Sequence, residues 1–125
     1  MTRQTILLVE DEPLLGELMT EALTEKGFAV HAAPDAGDAW RYLLSGANAD
    51  LLLTDIDLGA GMDGATLAKL AREMRPTLAV VYASGRCSRD QFSTVSGSRF
   101  LPKPYSLSEL DAALDQLIQK RKQAS

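Results

Sequence analysis

The chain has 125 residues, of which 46% are hydrophobic and 24% charged, and its formal net charge is −4. This length fits one domain, and the composition excludes a disordered chain and a strongly basic nucleic-acid-binding surface. The chain has one cysteine and one histidine, so it offers few of the residues that a zinc cluster or a Ser/His/Asp triad requires. We therefore expect a reducing cytoplasm, since the N-terminal run ILLV is too short for a signal peptide or a membrane span.

Short apolar runs rich in β-branched residues alternate along the chain with longer segments of helical period. The runs predict five strands, over residues 5–9, 28–32, 50–54, 78–83 and 99–101. Helices are predicted over residues 13–26, 35–45, 64–74 and 107–120. Pro13 suits the first position of the first helix, Gly27 suits its left-handed C-terminal cap, and Asp63 is a plausible N-cap of the third.

The alternation of strands and helices predicts a parallel sheet. Continuous apolar strands, such as LLL and AVV, are typical of a sheet that helices cover on both faces. Right-handed crossovers then give a doubly wound α/β fold, in which the functional crevice lies outside the carboxyl ends of the strands. The residues that end each strand are therefore the candidates for function.

Polar residues that could carry chemistry follow four of the five predicted strands. They are Glu10, Asp11 and Glu12 after the first, Asp55 and Asp57 after the third, Ser84 and Gly85 after the fourth, and Lys103 after the fifth. Taken one at a time, each is explained about equally well by a functional role and by the exposure of loop residues to water. Because the carboxyl ends of parallel strands share one edge, the sequence nevertheless predicts that they converge.

The converging carboxylates would raise one another's pKa unless a cation joined them. Oxygen ligands without a nearby histidine or thiol suit a hard ion, and a partial cage with room for water and phosphate favours Mg²⁺ over Ca²⁺. Two interpretations stay open for Lys103. It is either an ion-pair partner of the acids or a point charge that holds a phosphoryl oxygen.

Five motifs in this order resemble the receiver domain of bacterial two-component response regulators. They are VEDE, Asp55 before x-D-L, MDG, SG and KP. The resemblance covers essentially the whole chain. It implies a flavodoxin-like receiver fold with strand order 2-1-3-4-5 over residues 1–120, followed by a basic tail over residues 121–125.

The resemblance also implies residue roles. Asp55 would accept a phosphoryl group from a histidine kinase or a histidine phosphotransfer protein. Mg²⁺ would be held by the carboxylates of Asp11 and Asp55, by the backbone carbonyl of Asp57, and through water by Glu10. Lys103 would bind a phosphoryl oxygen, and a cis Lys103-Pro104 bond would turn its side chain into the site. The Ser84 hydroxyl would move to the phosphoryl group, and Phe100 would be the switch aromatic, whose rotamer follows that hydroxyl.

Taken as a whole, the resemblance implies a single-domain response regulator, a monomer or weak dimer. It would signal to an unknown output protein or relay its phosphoryl group, with no nucleic-acid or membrane partner. It would be a phosphoacceptor rather than an enzyme.

The sequence suggests three other interpretations. The spacing G-x-G-x-x-G over residues 59–64 fits a dinucleotide turn, but no acid follows at the position that would hold the ribose, and Asp55 and Asp57 would repel a pyrophosphate. The run LLLTDIDLG resembles the start of a Mg²⁺-dependent phosphatase of the haloacid dehalogenase type, although Gly59 departs from that motif. A receiver that binds partners without being phosphorylated is the third.

Two stretches depart from the usual receiver pattern. The loop from Asp55 to Asp63 is one residue longer than is common and contains GAG, so we expect it to be mobile. Between Ser84 and Lys103 the chain is shorter than is typical, and we expect the fourth helix of the family to be short, irregular or absent. Cys87, in this second stretch, is expected to be inert.

Overall fold

The computed structural model describes residues 3–58, 61–85 and 92–124, with side chains described as far as residue 117. The strands are β1 (Thr5–Val9), β2 (Ala29–Ala33), β3 (Leu51–Asp55), β4 (Ala79–Ser84) and β5 (Arg99–Pro102). The helices are α1 (Pro13–Glu25), α2 (Ala36–Leu44), α3 (Gly64–Met74) and α4 (Leu107–Ala124). None of the helices in the described ranges is long and apolar enough to cross a membrane.

The strands form one parallel sheet in the order β2-β1-β3-β4-β5, which confirms the predicted fold. The register aligns the strand ends. Val9 pairs with Thr54, Asp55 pairs with Ala83, and Ser84 pairs with Pro102. The residues that follow β1, β3, β4 and β5 therefore meet at one edge of the sheet.

A hydrophobic layer covers each face of the sheet, because alternate strand residues point to opposite sides. Leu7, Leu52 and Val80 pack with α2 and α3 on one face. Leu8 and Leu53 pack with α1 and α4 on the other. Each such fully buried aliphatic side chain contributes about 1.5–3 kcal/mol to folding. Strands β3 and β4 are buried along their whole length, so the packed core fixes the position of their carboxyl ends.

The helix ends follow the local sequence. Pro13 occupies the start of α1 and Gly27, which follows the C-cap of α1, has a φ of 100°. The Asp63 carboxylate accepts a hydrogen bond of 2.8 Å from the backbone N–H of Thr66, so Asp63 caps α3 as predicted. Helix α4 was expected to end near residue 120 and continues to Ala124.

The predicted β2 begins one residue too early. The backbone N–H of Phe28 donates to the carbonyl of Leu23, at 3.2 Å, so Phe28 still belongs to the turn that ends α1. The strand starts at Ala29, whose N–H donates to the carbonyl of Gln4. Strand propensity placed Phe28 in the sheet, but the helix-terminating hydrogen bond determines its position.

Both departures from the family pattern fall partly on residues outside the described ranges. Gly59 and Ala60 of the long loop lie there, so the expected mobility of that loop stays a prediction. Residues 86–91, including Cys87, lie there as well. Residues 92–98 are described and contain no helix, so the expectation of a short or absent fourth helix is tested only over this part.

Candidate functional site

Lys103 joins two acids at the carboxyl edge of the sheet. Its ammonium nitrogen Nζ lies 3.0 Å from Oδ2 of Asp55 and 3.0 Å from Oε1 of Glu10. Asp55 is the last residue of β3 and Glu10 follows β1, and each is only 7% exposed. Residues from three strand ends that are far apart in sequence therefore meet in one buried ion-pair cluster.

Backbone hydrogen bonds hold the three residues in place. The N–H of Glu10 donates to the carbonyl of Ala33 at 3.1 Å, and the N–H of Lys103 donates to the carbonyl of Ser84 at 2.8 Å. The N–H of Ile56, directly after Asp55, donates to the carbonyl of Ala83. The sheet ladder thus continues one residue beyond the strands. The Lys103-Pro104 peptide bond is cis, as the resemblance implied.

The backbone carbonyl of Asp55 is enclosed by two residues that the sequence reading did not assign to the site. The Thr54 hydroxyl donates to this carbonyl at 2.9 Å, and Thr54 is fully buried. Gly64, the first residue of α3, lies so close that a Cβ there would stand 2.0 Å from the same oxygen. The motif MDG pointed to Gly64 only as the start of a helix. Its close approach to Asp55 is a packing fact that spacing does not reveal.

Burial raises the pKa of both acids. For Asp55, burial raises the pKa, the hydrogen bond and charge of Lys103 oppose that shift, and the charge of Asp11 adds to it. For Glu10, burial again raises the pKa, against the N–H of Glu12 and the ammonium of Lys103. Burial alone would lower the pKa of Lys103, but its hydrogen bonds to Asp55 and Glu10 outweigh burial and raise the pKa. The ammonium therefore stays charged between acids that burial makes easier to protonate.

The acids at this edge fit a hard divalent cation. One oxygen each from Glu10, Asp11 and Asp55 lies within 4.8 Å of the other two. Asp11 is exposed, so water can reach the group from that side. All three donors are carboxylate oxygens, and burial disfavours the charge of Glu10 and Asp55, so an added cation would stabilise the group. The Asp57 carboxylate is not part of this group; the resemblance gives Asp57 a ligand through its backbone.

Ser84 and Asp57 form a direct contact next to this cluster. The Ser84 hydroxyl, in a residue that is 1% exposed, donates to Oδ2 of Asp57 at 3.0 Å. The N–H of Asp57 in turn donates to Oδ1 of Asp55, at 3.3 Å. The structure therefore brings Ser84 to the same edge as the acids, through Asp57. Sequence reading gave the Asp57 side chain no part in this.

Phe100 lies further from the acids, in an aromatic group. Its ring is half-buried, and its centroid stands 5.8 Å from that of Phe92, which is 5.2 Å from that of the buried Tyr82. The Tyr82 hydroxyl accepts a hydrogen bond of 3.0 Å from the N–H of Val95. Phe100 is therefore linked through Phe92 and Tyr82 to the described segment that precedes β5.

The chain matches known proteins over nearly all of its length. Residues 6–115 match the sequence model of the response regulator receiver domain. The structure is similar to that of a response regulator receiver protein from Sinorhizobium medicae WSM419, with 37% identity and a TM-score of 0.89, covering 95% of this chain and 97% of that one. It is also similar to the response regulator TrrA of Thermotoga maritima, solved in complex with Mg²⁺-BeF, with 26% identity, a TM-score of 0.82, and coverage of 91% and 98%.

Among curated proteins, the transcriptional regulatory protein TctD of Salmonella typhimurium LT2 is 35% identical over 118 residues, 92% of this chain. Those residues make up 52% of TctD, so the chain spans about half of that relative's length, and it spans less of several others. The match to the family model, the sheet order and the acidic group at the carboxyl edge all point to the same family. The chain belongs to the response regulator receiver domain family.

Proposed function

We propose that this chain is a response regulator that accepts a phosphoryl group on Asp55 from a phosphohistidine of a partner histidine kinase or histidine phosphotransfer protein. The observation that carries the proposal is the ammonium of Lys103, 3.0 Å from Oδ2 of Asp55. A cation beside a buried carboxylate at the open edge of a parallel sheet suits a group that gains negative charge by reaction. Family membership supports the same role.

The proposed transfer breaks the phosphorus–nitrogen bond of the donor and forms a phosphorus–oxygen bond to Asp55. The imidazole leaves with the electron pair of the broken bond. Asp55 attacks as an ionised carboxylate, so no proton has to be removed from it. Such transfers depend mainly on positioning and on neutralising charge on the equatorial phosphoryl oxygens. The fixed β3 terminus supplies the positioning, and Lys103 supplies a positive charge that its hydrogen bonds to Asp55 and Glu10 preserve.

The proposal includes Mg²⁺, held by the carboxylates of Asp11 and Asp55, by the backbone carbonyl of Asp57, and through water by Glu10. When bound, the ion supplies further positive charge for the phosphoryl oxygens. The cluster of carboxylate oxygens within 4.8 Å supports this ligand set. So does the likeness to TrrA, which was solved in complex with Mg²⁺-BeF.

For signalling, we propose that the Ser84 hydroxyl moves to the phosphoryl group and that the Phe100 ring follows. Phe100 contacts Phe92, so a change in its rotamer would reach the segment before β5. The phosphorylated form would then bind an output protein or pass the phosphoryl group on, as a monomer or weak dimer in the cytoplasm. This chain would act as a phosphoacceptor rather than turn over a separate substrate.

Incubation with acetyl phosphate and Mg²⁺, followed by intact-mass spectrometry, tests the proposal. We expect one added phosphoryl mass that is lost in hydroxylamine, and no labelling when Mg²⁺ is chelated. Asp55→Asn is expected to remain unlabelled. Equal labelling of wild type and Asp55→Asn would contradict the assignment, and absence of labelling in wild type would favour the unphosphorylated receiver.

A further inference from the structure

The backbone of Ser84 is held by the sheet, so a change of its hydroxyl contacts must be a rotation of the side chain. Ser84 pairs with Pro102 across β4 and β5, and its carbonyl accepts the N–H of Lys103 at 2.8 Å. The residue is 1% exposed. The hydroxyl is therefore restricted to partners within a small buried volume.

Asp57 is hydrogen-bonded both to Asp55, the proposed phosphoacceptor, and to Ser84. Its backbone N–H donates to Oδ1 of Asp55, and its carboxylate oxygen Oδ2 accepts the hydroxyl of Ser84 at 3.0 Å. A bond from a hydroxyl to a carboxylate is charge-assisted, and such bonds are stronger than neutral ones. The carboxylate of Asp57 is thus a strong partner for Ser84 in the state that the structure describes.

The hydroxyl of Ser84 has one proton, so it donates to one acceptor at a time. If it is to donate to a phosphoryl oxygen on Asp55, it must give up the Asp57 carboxylate. The two hydrogen bonds therefore compete, and their difference in free energy sets the balance between the two states.

We propose that the Asp57 side chain is a positioning residue that holds the Ser84 hydroxyl in the resting arrangement and so opposes the switch. This inference rests on the proposed function, because it takes Ser84 to be the residue that binds the phosphoryl group. Asp57 then has two separate roles, one for its backbone and one for its side chain. Its backbone carbonyl is a proposed Mg²⁺ ligand, which any side chain would retain, and its carboxylate restrains Ser84.

The test uses beryllofluoride, prepared from beryllium chloride and sodium fluoride, as the probe at saturating Mg²⁺. Mg²⁺ affinity is measured first for each variant, so that saturation is known. Dissociation constants for the probe are then determined by calorimetry for wild type, Asp57→Ala, Asp57→Asn and Ser84→Ala. The double variant Ser84→Ala/Asp57→Ala completes a double-mutant cycle.

We expect Asp57→Ala to tighten probe binding about tenfold, because one charge-assisted hydrogen bond no longer competes. Asp57→Asn keeps a neutral acceptor and is expected to tighten binding by less. In the Ser84→Ala background, the same Asp57→Ala change should have no effect on the dissociation constant. This dependence on Ser84 is the readout that a merely structural role of Asp57 would not produce.

Two results would overturn the inference while the proposed function survives. One is wild-type binding of the probe with no tightening in Asp57→Ala. The other is equal tightening with and without Ser84, which would mean that removing a nearby negative charge is the whole effect. If wild type neither binds the probe nor is labelled by acetyl phosphate, the proposed function fails and this inference fails with it.

Discussion

The first residue of α3, Gly64, lies against the backbone carbonyl of Asp55 so closely that a Cβ on Gly64 would stand 2.0 Å from that oxygen. Gly64→Ala must therefore displace either α3 or the end of β3. We expect the free energy of unfolding to fall by about 1–3 kcal/mol, the usual cost of overpacking. Labelling of Asp55 by acetyl phosphate should slow as well, because its backbone moves. Urea unfolding and intact-mass kinetics measure the two effects.

Gly16→Ala is the matched control for that prediction. Gly16 also lies in a helix, α1, but a Cβ there would come no closer than 4.0 Å to the side chain of Glu10. Alanine in a helix interior is favoured over glycine by about 0.5–1 kcal/mol. Gly16→Ala should therefore be neutral or stabilising, and an equal loss of stability in both variants would contradict the account of Gly64.

Lys103→Met removes the ammonium that lies 3.0 Å from Asp55 while keeping much of the side-chain length. We expect labelling by acetyl phosphate to slow about 100-fold, as happens when one group that stabilises developing charge is removed. Lys69→Met is the control, because Lys69 is an exposed residue of α3. Labelling of Lys103→Met at the wild-type rate would leave Lys103 as a structural ion-pair partner only.

Asp11→Asn tests the proposed Mg²⁺ ligands without removing the phosphoacceptor. Ligand binding to the folded state alone adds about 2.7 kcal/mol at a ligand concentration one hundred times the dissociation constant. We expect Mg²⁺ to raise the melting temperature of wild type and to raise that of Asp11→Asn much less. The control Glu17→Gln alters an exposed acid of α1 and should respond as wild type does. A full response of Asp11→Asn to Mg²⁺ would exclude Asp11 as a ligand.

Tyr105 is expected to make the stability of the protein depend on pH in the alkaline range. Burial raises its pKa to about 12, although the charge of Lys103 lowers it, and its hydroxyl donates to the sulfur of Met19 at 3.1 Å. Because the folded state holds this proton more tightly than the unfolded state, the contribution to stability is complete below the ordinary pKa of 10.0. It is then lost as the pH rises toward 12.

We therefore expect wild type to lose stability relative to Tyr105→Phe between pH 10 and about 12. Urea unfolding of both proteins across this interval measures the difference, and groups common to the two cancel. A difference that does not change with pH would show that the phenol titrates alike in the folded and unfolded states.

The sequence predicts that Glu10, Asp55 and Lys103 lie at one edge of the sheet, because parallel strands joined by right-handed crossovers bring their carboxyl ends together. The motifs added the strand order and the cis bond at Lys103-Pro104. The roles of these residues in phosphoryl transfer remain predictions, since their placement alone does not establish reactivity.

The contacts of Gly64 and Asp57 could not be read from the sequence, for a physical reason. Both depend on the path of the loop between β3 and α3, which brings Gly64 against Asp55 and Asp57 against Ser84 of β4, and spacing along a chain does not determine that path. The motifs assigned Asp57 a Mg²⁺ ligand through its backbone carbonyl and gave its carboxylate no role, whereas in the structure this carboxylate accepts the hydroxyl of Ser84. Phe28 was misplaced because its pattern suits a strand, while its N–H completes the turn after α1.

The most direct test of the central claim is to locate the phosphoryl group by chemical trapping. The protein is labelled with acetyl phosphate and Mg²⁺ and reduced with borohydride, which converts an aspartyl phosphate to homoserine. Peptide mass spectrometry then identifies the modified position. The account predicts homoserine at position 55 alone, dependent on Mg²⁺. Homoserine at Asp11 or Asp57 instead, or labelled protein with no homoserine, would contradict it.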